Sequence, residues 1–259
     1  MSVFGKYSSY YDLLYKDKDY AGEADFVCRL LERFGSRAKN LLELGCGSGG
    51  HALELSKRGF GIHGVDVSGD MLSIAEKERN RLLPFGAGEN LSFSQGDIRE
   101  LALNKTFDAA ISLFHVISYL PTLRDIEKVF KRVSRHLNPG GLFVFDVWYA
   151  PAVLTEKPEV RVKRMENDEI AVIRIAEPIC YPNECWVDVC YKVFIRDKKT
   201  NRIEELDTEI HRMRYLSIPE IEMLADNNHF EIVFCGEWMT EKPPALDTWG
   251  VCFVLKSDG

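Results

Sequence analysis

An α/β protein built on a mainly parallel sheet is what this chain predicts, and three observations carry the expectation. Short apolar runs alternate with amphipathic helical stretches through the first half. A glycine cluster stands directly after the first of those runs. From Val160 to Leu216 the helical period disappears and long period-two runs replace it. Strand–helix alternation means a parallel sheet covered by helices, and period-two runs joined by turns mean antiparallel strands.

Taken in order, Asn40–Leu44 is an apolar strand that stops at the glycines. Gly50 to Arg58 reads as a helix closed by Gly59. Ile62–Asp66 is a second strand. Ser68 is a good N-cap for a helix with Met71, Ile74 and Ala75 on its apolar face. Leu91–Ser94 and Phe107–Leu113 are the third and fourth strands. Ile126, Val129, Phe130, Val133 and Leu137 form one helical stripe, ended by Asn138-Pro139-Gly140-Gly141. Leu142–Val147 is apolar almost throughout, as strands buried on both faces are. In the later block Val187, Val189, Tyr191, Val193 and Ile195 share one face, and Trp186, Asp188, Cys190 and Lys192 the other. Asp197 to Asn201 reads as a hairpin turn into a strand from Ile203 to Leu216. A helix near Pro219 to Asn227 and strands near Glu231–Cys235 and Gly250–Leu255 complete the chain.

Composition bounds the function. The 259 residues, 46% of them hydrophobic, suffice for one ordinary domain or one domain with a large insertion. With 33 Lys+Arg against 40 Asp+Glu the net charge is −7, which removes a strongly basic nucleic-acid footprint. No run approaches the roughly 18 apolar residues of a membrane span, and the N-terminus lacks the apolar core of a signal peptide. A soluble cytoplasmic protein is expected, with neither a membrane nor a nucleic acid as partner. Seven cysteines without a CxxC pair indicate neither a disulfide framework nor a zinc site. Cys180, Cys185 and Cys190 recur every five residues, but strand alternation puts the last two on opposite faces. Buried free thiols and no metal are the expectation.

The sharpest signal is Glu43-Leu44-Gly45-Cys46-Gly47-Ser48-Gly49-Gly50, which ends the first strand and opens the first helix. Glycines there let the backbone approach a ligand closely. Asp66 ends the second strand about twenty residues on, where a carboxylate accepts both hydroxyls of a ribose. A nucleoside-containing cofactor should therefore lie across the carboxyl ends of the first two strands. Gly45, Gly47 and Gly50 also satisfy the dinucleotide fingerprint. Glu43 argues against it, because a carboxylate beside the loop repels a pyrophosphate and suits an ammonium. After the third strand, Asp97 is placed to accept the exocyclic amine of adenine, with Ile98 beside the ring. Ribose, adenine and a cationic amino acid without phosphate describe S-adenosylmethionine.

The sequence resembles the class I S-adenosylmethionine-dependent methyltransferases in ELGCGSG (43–49), GVDVS (64–68), QGDI (95–98), FDAAISLF (107–114) and LNPGGLFVFDVW (137–148). The resemblance implies a Rossmann-like, seven-stranded mixed sheet with helices on both faces and an inserted antiparallel β cap. It divides the chain into an N-terminal helical lid (1–39), a cofactor-binding core (40–159), the cap (160–216) and the end of the core (217–259). Tyr11-Asp12-Leu13-Leu14-Tyr15 with Lys18-Asp19-Tyr20, and Ser112-Leu113-Phe114 with Tyr119-Leu120, are similar to the nucleotide-activated aminosugar N-methyltransferases. In that subfamily the N-terminal segment closes over the cofactor and the insertion helps to build the sugar site. The implied cofactor contacts are Tyr15, Tyr20, Glu43, Gly45, Cys46, Gly47, Asp66, Val67, Met71, Asp97, Ile98, Leu113 and Phe114. This chain departs from the pattern at Trp249 and Gly250, in the last loop, where a cation gripping a diphosphate would be sought.

Five of the ten tyrosines (Tyr7, Tyr10, Tyr11, Tyr15 and Tyr20) stand in the first twenty residues, as helix packing or as a lid. The motif favours Tyr15 and Tyr20 for the lid. On the acceptor side, His115 follows the fourth strand, with Tyr119 four residues on. In the last inserted strand Glu209, His211, Met213 and Tyr215 share one face, and Arg212 and Arg214 the other. The expected substrate-binding residues are His115, Tyr119, Trp148, His211, Arg214 and Tyr215. The catalytic candidates are His115, His211, Tyr15 and Tyr119, with the two histidines as possible bases. His51 is read as a helix N-terminal residue without chemical duty, and Asp146 as a pocket or packing residue. The function expected is methyl transfer from S-adenosylmethionine to a small molecule, an amine of a sugar or sugar nucleotide. A sugar or small-molecule O-methyltransferase is the alternative, followed by a non-catalytic cofactor-binding subunit or a nicotinamide-dependent oxidoreductase. The inserted strands either cap the site or pair with a partner, so a homodimer stays open.

Overall fold

The computed structural model describes residues 11–15, 18–35, 38–82 and 90–258. Five parallel strands form its centre: β1 (Asn40–Leu44), β2 (Gly61–Asp66), β3 (Leu91–Gln95), β4 (Phe107–Ser112) and β5 (Leu137–Tyr149). Five antiparallel strands follow: β6 (Arg161–Glu166), β7 (Ile170–Tyr181), β8 (Trp186–Asp197), β9 (Ile203–Glu205) and β10 (Glu209–Leu216). Strands β11 (Phe230–Glu237) and β12 (Gly250–Ser257) end the chain. The core order is β3-β2-β1-β4-β5, then β12 antiparallel to β5 and β11 antiparallel to β12. That is the expected seven-stranded mixed sheet.

Helices cover both of its faces because the central strands are apolar on both. Helix α5 (Leu123–His136) lays its stripe of Ile126, Val129, Phe130 and Val133 on one face, beside α7 (Ile218–Asn227). Phe130 meets Phe143 and Phe145 edge-on, each at 5.5 Å between ring centroids. On the other face α2 (Tyr20–Phe34) and α3 (Gly50–Lys57) bury Phe26, Leu30, Ala52 and Leu55 against Leu41, Val144 and Cys252. The caps read from sequence are present where the structure needs them. Ser68 Oγ accepts from the Met71 amide at 3.3 Å and opens α4 (Gly69–Leu82).

The inserted strands are not a separate sheet. The end of β10 pairs with the end of β5, Tyr215 with Trp148 and Leu216 with Tyr149, so twelve strands run on continuously. One face of this extension looks inward. It carries two apolar clusters. Val172, Val193 and Leu206 pack on Leu14 of α1 (Tyr11–Leu14), and Val187, Val189, Met213 and Tyr215 pack on Val153 of α6 (Ala150–Glu156).

Three local expectations change. The segment 203–216 is two strands, because Leu206 leaves the ladder to fill the pocket beside Leu14 and Val172. Helix α6 was not foreseen; Pro151 in its first turn suits a helix start but is no signal alone. Cys180, Cys185 and Cys190 are free but half-buried rather than buried, and Cys185 precedes its strand in a left-handed conformation (φ 61°). Among the described residues no cluster of three or more potential metal ligands occurs, and no helix is long and apolar enough to cross a membrane.

Phe130 is fully buried among rings that cannot collapse onto the gap it would leave. Replacing it with alanine should cost about 3–5 kcal/mol, read as a lower urea midpoint with an unchanged slope.

Candidate active site

The carboxyl ends of β1, β2 and β4 open into a cavity of about 400 Å³. Its floor is the glycine turn. Gly45 stands at φ 69°, and a Cβ there would lie 2.5 Å from Val116 Cγ1. A Cβ on Gly50 would lie 2.5 Å from the Tyr20 ring. Both positions need the absence of a side chain so that α3 and the lid can close on the turn. Asp66 pins this geometry. Its Oδ2 accepts from the Gly47 amide at 2.7 Å and its Oδ1 from the Ser68 amide at 2.9 Å. Burial nevertheless raises its pKa, with those amides working the other way.

Twelve of the thirteen expected cofactor contacts line this cavity: Tyr15, Tyr20, Gly45, Cys46, Gly47, Asp66, Val67, Met71, Asp97, Ile98, Leu113 and Phe114. Asp97 is shared, since the Arg99 guanidinium lies on its carboxylate with Nε at 3.0 Å from each oxygen and lowers its pKa. The thirteenth, Glu43, lies behind the wall, 2% exposed, with its Oε2 buried and without a hydrogen-bond partner. Burial, and then the Asp66 charge, push its pKa up to about 8.

The lid side holds residues that sequence reasoning passed over. His51 lines the cavity; its Nε2 lies 2.5 Å from Glu23 Oε2, its Nδ1 3.7 Å from Glu43 Oε1, and its ring meets Tyr20 edge-on at 4.9 Å. Lys18 Nζ donates to Glu23 Oε1 at 2.6 Å and sits 4.1 Å above the Phe114 ring. The signal for His51 in the sequence is its place as the second residue of α3, directly after the glycine turn. Its partner Glu23 lies 28 positions away, which no local pattern reports. Tyr15 closes on Phe114 edge-to-face at 5.4 Å. Tyr7 and Tyr10 lie outside the described residues, as does the Tyr11 side chain.

On the acceptor side Phe114 and His115 both stand in left-handed backbone, φ 66° and 62°, a strain that side-chain-bearing residues rarely carry. Asp146 holds the turn, accepting from the His115 amide at 3.1 Å, and lies 2.7 Å from His115 Nδ1 but off the line a hydrogen bond wants. Tyr119 lines the cavity and bonds through Oη to His211 Nδ1 at 2.8 Å; His211 Nε2 lies 3.4 Å from Glu209 Oε2. Burial pushes the Tyr119 phenol well above its usual pKa. Trp148 stands edge-on to His115 at 6.4 Å and to Trp249 at 6.0 Å, and the Trp249 indole donates to Glu156.

Two expected substrate contacts do structural work instead. Tyr215 is 1% exposed in the cluster under the cap, its hydroxyl directed to the Pro182 carbonyl. Arg214 is buried, donating to Glu220 Oε1 at 2.9 Å and to the Pro121 carbonyl at 3.2 Å, so it ties the start of α7 to the loop after β4. Neither lines the cavity, where β10 turns into its pairing with β5. His115, Trp148 and His211 also lie outside its wall, which of the six expected substrate contacts holds Tyr119.

The residues fit S-adenosylmethionine. A glycine cradle without Cβ atoms, the Asp66 carboxylate in the cavity wall and an orphaned buried carboxylate oxygen behind that wall are what ribose and an ammonium require. A family model described as "Methyltransferase domain" matches residues 41–141. The chain is an S-adenosylmethionine-dependent methyltransferase. The methyltransferase is 29% identical over 209 residues, 79% of this chain and 84% of the other, to a dTDP-3-amino-3,4,6-trideoxy-α-D-glucopyranose N,N-dimethyltransferase of Streptomyces venezuelae. Its fold is similar to an S-adenosylmethionine-dependent methyltransferase of Clostridium acetobutylicum, with a TM-score of 0.82, 24% identity and 98% of each chain covered. It is also similar to CalS10, an amino pentose methyltransferase of Micromonospora echinaspora solved with S-adenosylmethionine bound, with a TM-score of 0.74, 22% identity and 98% and 97% of the two chains covered.

Two measurements check this reading. Asp66→Ala removes two amide acceptors as well as the ribose contact, and should weaken S-adenosylmethionine at least about tenfold in calorimetric titration. Glu43 is protonated in the free protein below pH about 8. An ammonium beside it favours the carboxylate, so binding should release a proton. Affinity should then rise with pH by up to about tenfold per unit between pH 6.5 and 8, and Glu43→Gln should flatten that slope. An equal slope in both proteins would remove Glu43 from ammonium recognition.

Proposed function

We propose that this methyltransferase transfers the methyl group of S-adenosylmethionine to an amine on a small sugar-based acceptor, free or nucleotide-linked. The observation that carries the reading is the row Tyr119–His211–Glu209, which brings a hydrogen-bonded proton acceptor to the rim of the cofactor cavity. The similarity to a dTDP-aminosugar N,N-dimethyltransferase supports the same acceptor class.

The cofactor supplies a methyl carbon activated by the adjoining sulfonium. The chain's residues align and deprotonate. The Tyr15, Phe114 and Tyr119 rings enclose the space between cavity and cap and exclude water from it. The Tyr119 oxygen accepts the acceptor's N–H proton while its own O–H proton passes to His211 Nδ1. Glu209 stabilises the imidazolium that results. With S-adenosylmethionine bound, the amine lone pair would take the methyl group, and the chain's part is to hold the nitrogen in line and receive its proton. A raised phenol pKa suits an amine, which needs only a proton acceptor, better than a hydroxyl, which needs a strong base. We take His115 to position the strained turn through Asp146, with Trp148 packing beside it.

A net charge of −7 supports a small-molecule acceptor over a nucleic acid. We place the activity in the cytoplasm, in a monomer or a homodimer, with residues 1–39 as lid, 40–159 and 217–259 as core and 160–216 as cap.

A panel of aminosugars and their hydroxyl counterparts, followed by S-adenosylhomocysteine release, decides the class. Amines should turn over and hydroxyls should not; turnover confined to hydroxyl acceptors sinks the reading. His211→Asn should lower kcat by about a hundredfold with the KM for S-adenosylmethionine unchanged.

A further inference from the structure

A row of four largely buried titratable side chains runs from the lid to behind the cavity wall, and the methyl-transfer step uses none of them. Lys18 Nζ donates to both oxygens of Glu23, at 2.6 and 2.7 Å. Glu23 Oε2 meets His51 Nε2 at 2.5 Å, and His51 Nδ1 lies 3.7 Å from Glu43 Oε1. The His51 side chain is 7% exposed and that of Glu43 2%. The four residues come from the lid, α2, α3 and β1, so no single element accounts for the row. Apolar residues of similar volume often stabilise a fold as well as a buried ion pair does, so stability alone does not explain it.

The row fixes the imidazole and, through it, the lid. Burial raises the Glu23 pKa, but the His51 and Lys18 bonds outweigh it and the carboxyl stays below its usual range. A carboxylate only accepts, so His51 Nε2 carries the proton of their bond, and Nδ1 is the nitrogen left toward Glu43. The same ring backs Tyr20 edge-on at 4.9 Å. Tyr20 in turn lies on the glycine turn, where a Cβ on Gly50 would stand 2.5 Å from its ring. Across the mouth of the cavity Lys18 sits 4.1 Å above the Phe114 ring. Glu23 therefore joins two lid residues to the buried carboxyl beside the glycine turn. Tyr20, Gly50, His51 and Phe114 all line the cavity.

We propose that Glu23 and His51 are positioning residues for the amino-acid end of S-adenosylmethionine: they clamp Tyr20 down on the glycine turn and hold the imidazole toward Glu43. The proposal rests on the reading above that the cofactor's ammonium lies beside Glu43. A lid already held in its closed position costs an entering ligand less ordering. The benefit reaches only the part of the ligand that the clamp encloses. Adenosine, which lies toward Asp66 and Asp97, gains little from it.

The test is calorimetric titration of the full chain with S-adenosylhomocysteine and with 5′-methylthioadenosine, a thioether that keeps the adenosine and lacks the amino acid. Glu23→Ala and His51→Ala should each weaken S-adenosylhomocysteine at least about tenfold and methylthioadenosine by less than about twofold. Unchanged methylthioadenosine affinity also reports folding. Glu23→Gln keeps the volume of the side chain and should show the same ligand bias, more weakly. His51→Gln restores a donor toward Glu23 and should recover part of the loss. The double variant Glu23→Ala/His51→Ala should lose little more than the worse single one, because one clamp is removed only once. Equal losses for the two ligands in Glu23→Gln mark a merely structural role and overturn the proposal. So do unchanged S-adenosylhomocysteine affinity and fully additive losses in the double variant.

Glu43→Gln separates this failure from that of the ammonium reading. If Glu43→Gln weakens S-adenosylhomocysteine selectively and Glu23→Ala does not, the clamp falls and the ammonium reading stands. If Glu23→Ala is selective and Glu43→Gln is not, the clamp stands and the ammonium reading falls.

Discussion

Much of the site hangs on the carboxylate of Asp66. It lies almost buried at the end of β2, accepting the Gly47 amide from one loop and the Ser68 amide from the next. That single group joins the β1–α3 turn to the β2–α4 turn and so sets the width of the cleft between them. A buried carboxylate persists only where donors compensate its lost hydration. Two amides do so here, and free lone pairs remain for a ribose. The glycine turn, α3 behind it and the N-cap of α4 are all positioned by this arrangement.

Charge is distributed unevenly around the cavity, and the asymmetry separates two kinds of work. Beneath the glycine turn lie the buried carboxyl groups of Glu43 and Asp66, with the Glu23–His51 pair beside them. On the inserted strands Arg161, Lys163 and Arg174 share one face, and Glu209 of β10, on that face too, turns to His211. Between the two, Tyr15, Phe114, Tyr119 and Tyr191 form an aromatic divide.

The cap owes its position to a short stretch of pairing. Two residue pairs join β10 to β5, and Arg214 locks the corner by reaching Glu220 and the Pro121 carbonyl. The Arg214 side chain, expected at the substrate, thus fastens the inserted strands to the core. From the inserted strands His211 reaches the cavity wall through its bond to Tyr119, with the Tyr191 ring against it.

By itself the sequence determined the core: strand and helix order, the glycine turn, Asp66, the α5 stripe and the chemistry of the cofactor were all legible. Those features are local, set by periods of two and 3.6 residues and by spacings within one βαβ unit. Only the tertiary structure decided which side chains meet from distant segments. Glu23 with His51, Tyr119 with His211, and the facing of Lys163 and Arg174 toward the lid depend on how elements far apart in sequence are brought together. Tyr215 and Arg214 stand outside the cavity for the same reason. Alternation along β10 assigns faces correctly, but it does not report where the strand leaves the cleft to join β5, and that crossing is set by packing of the whole sheet.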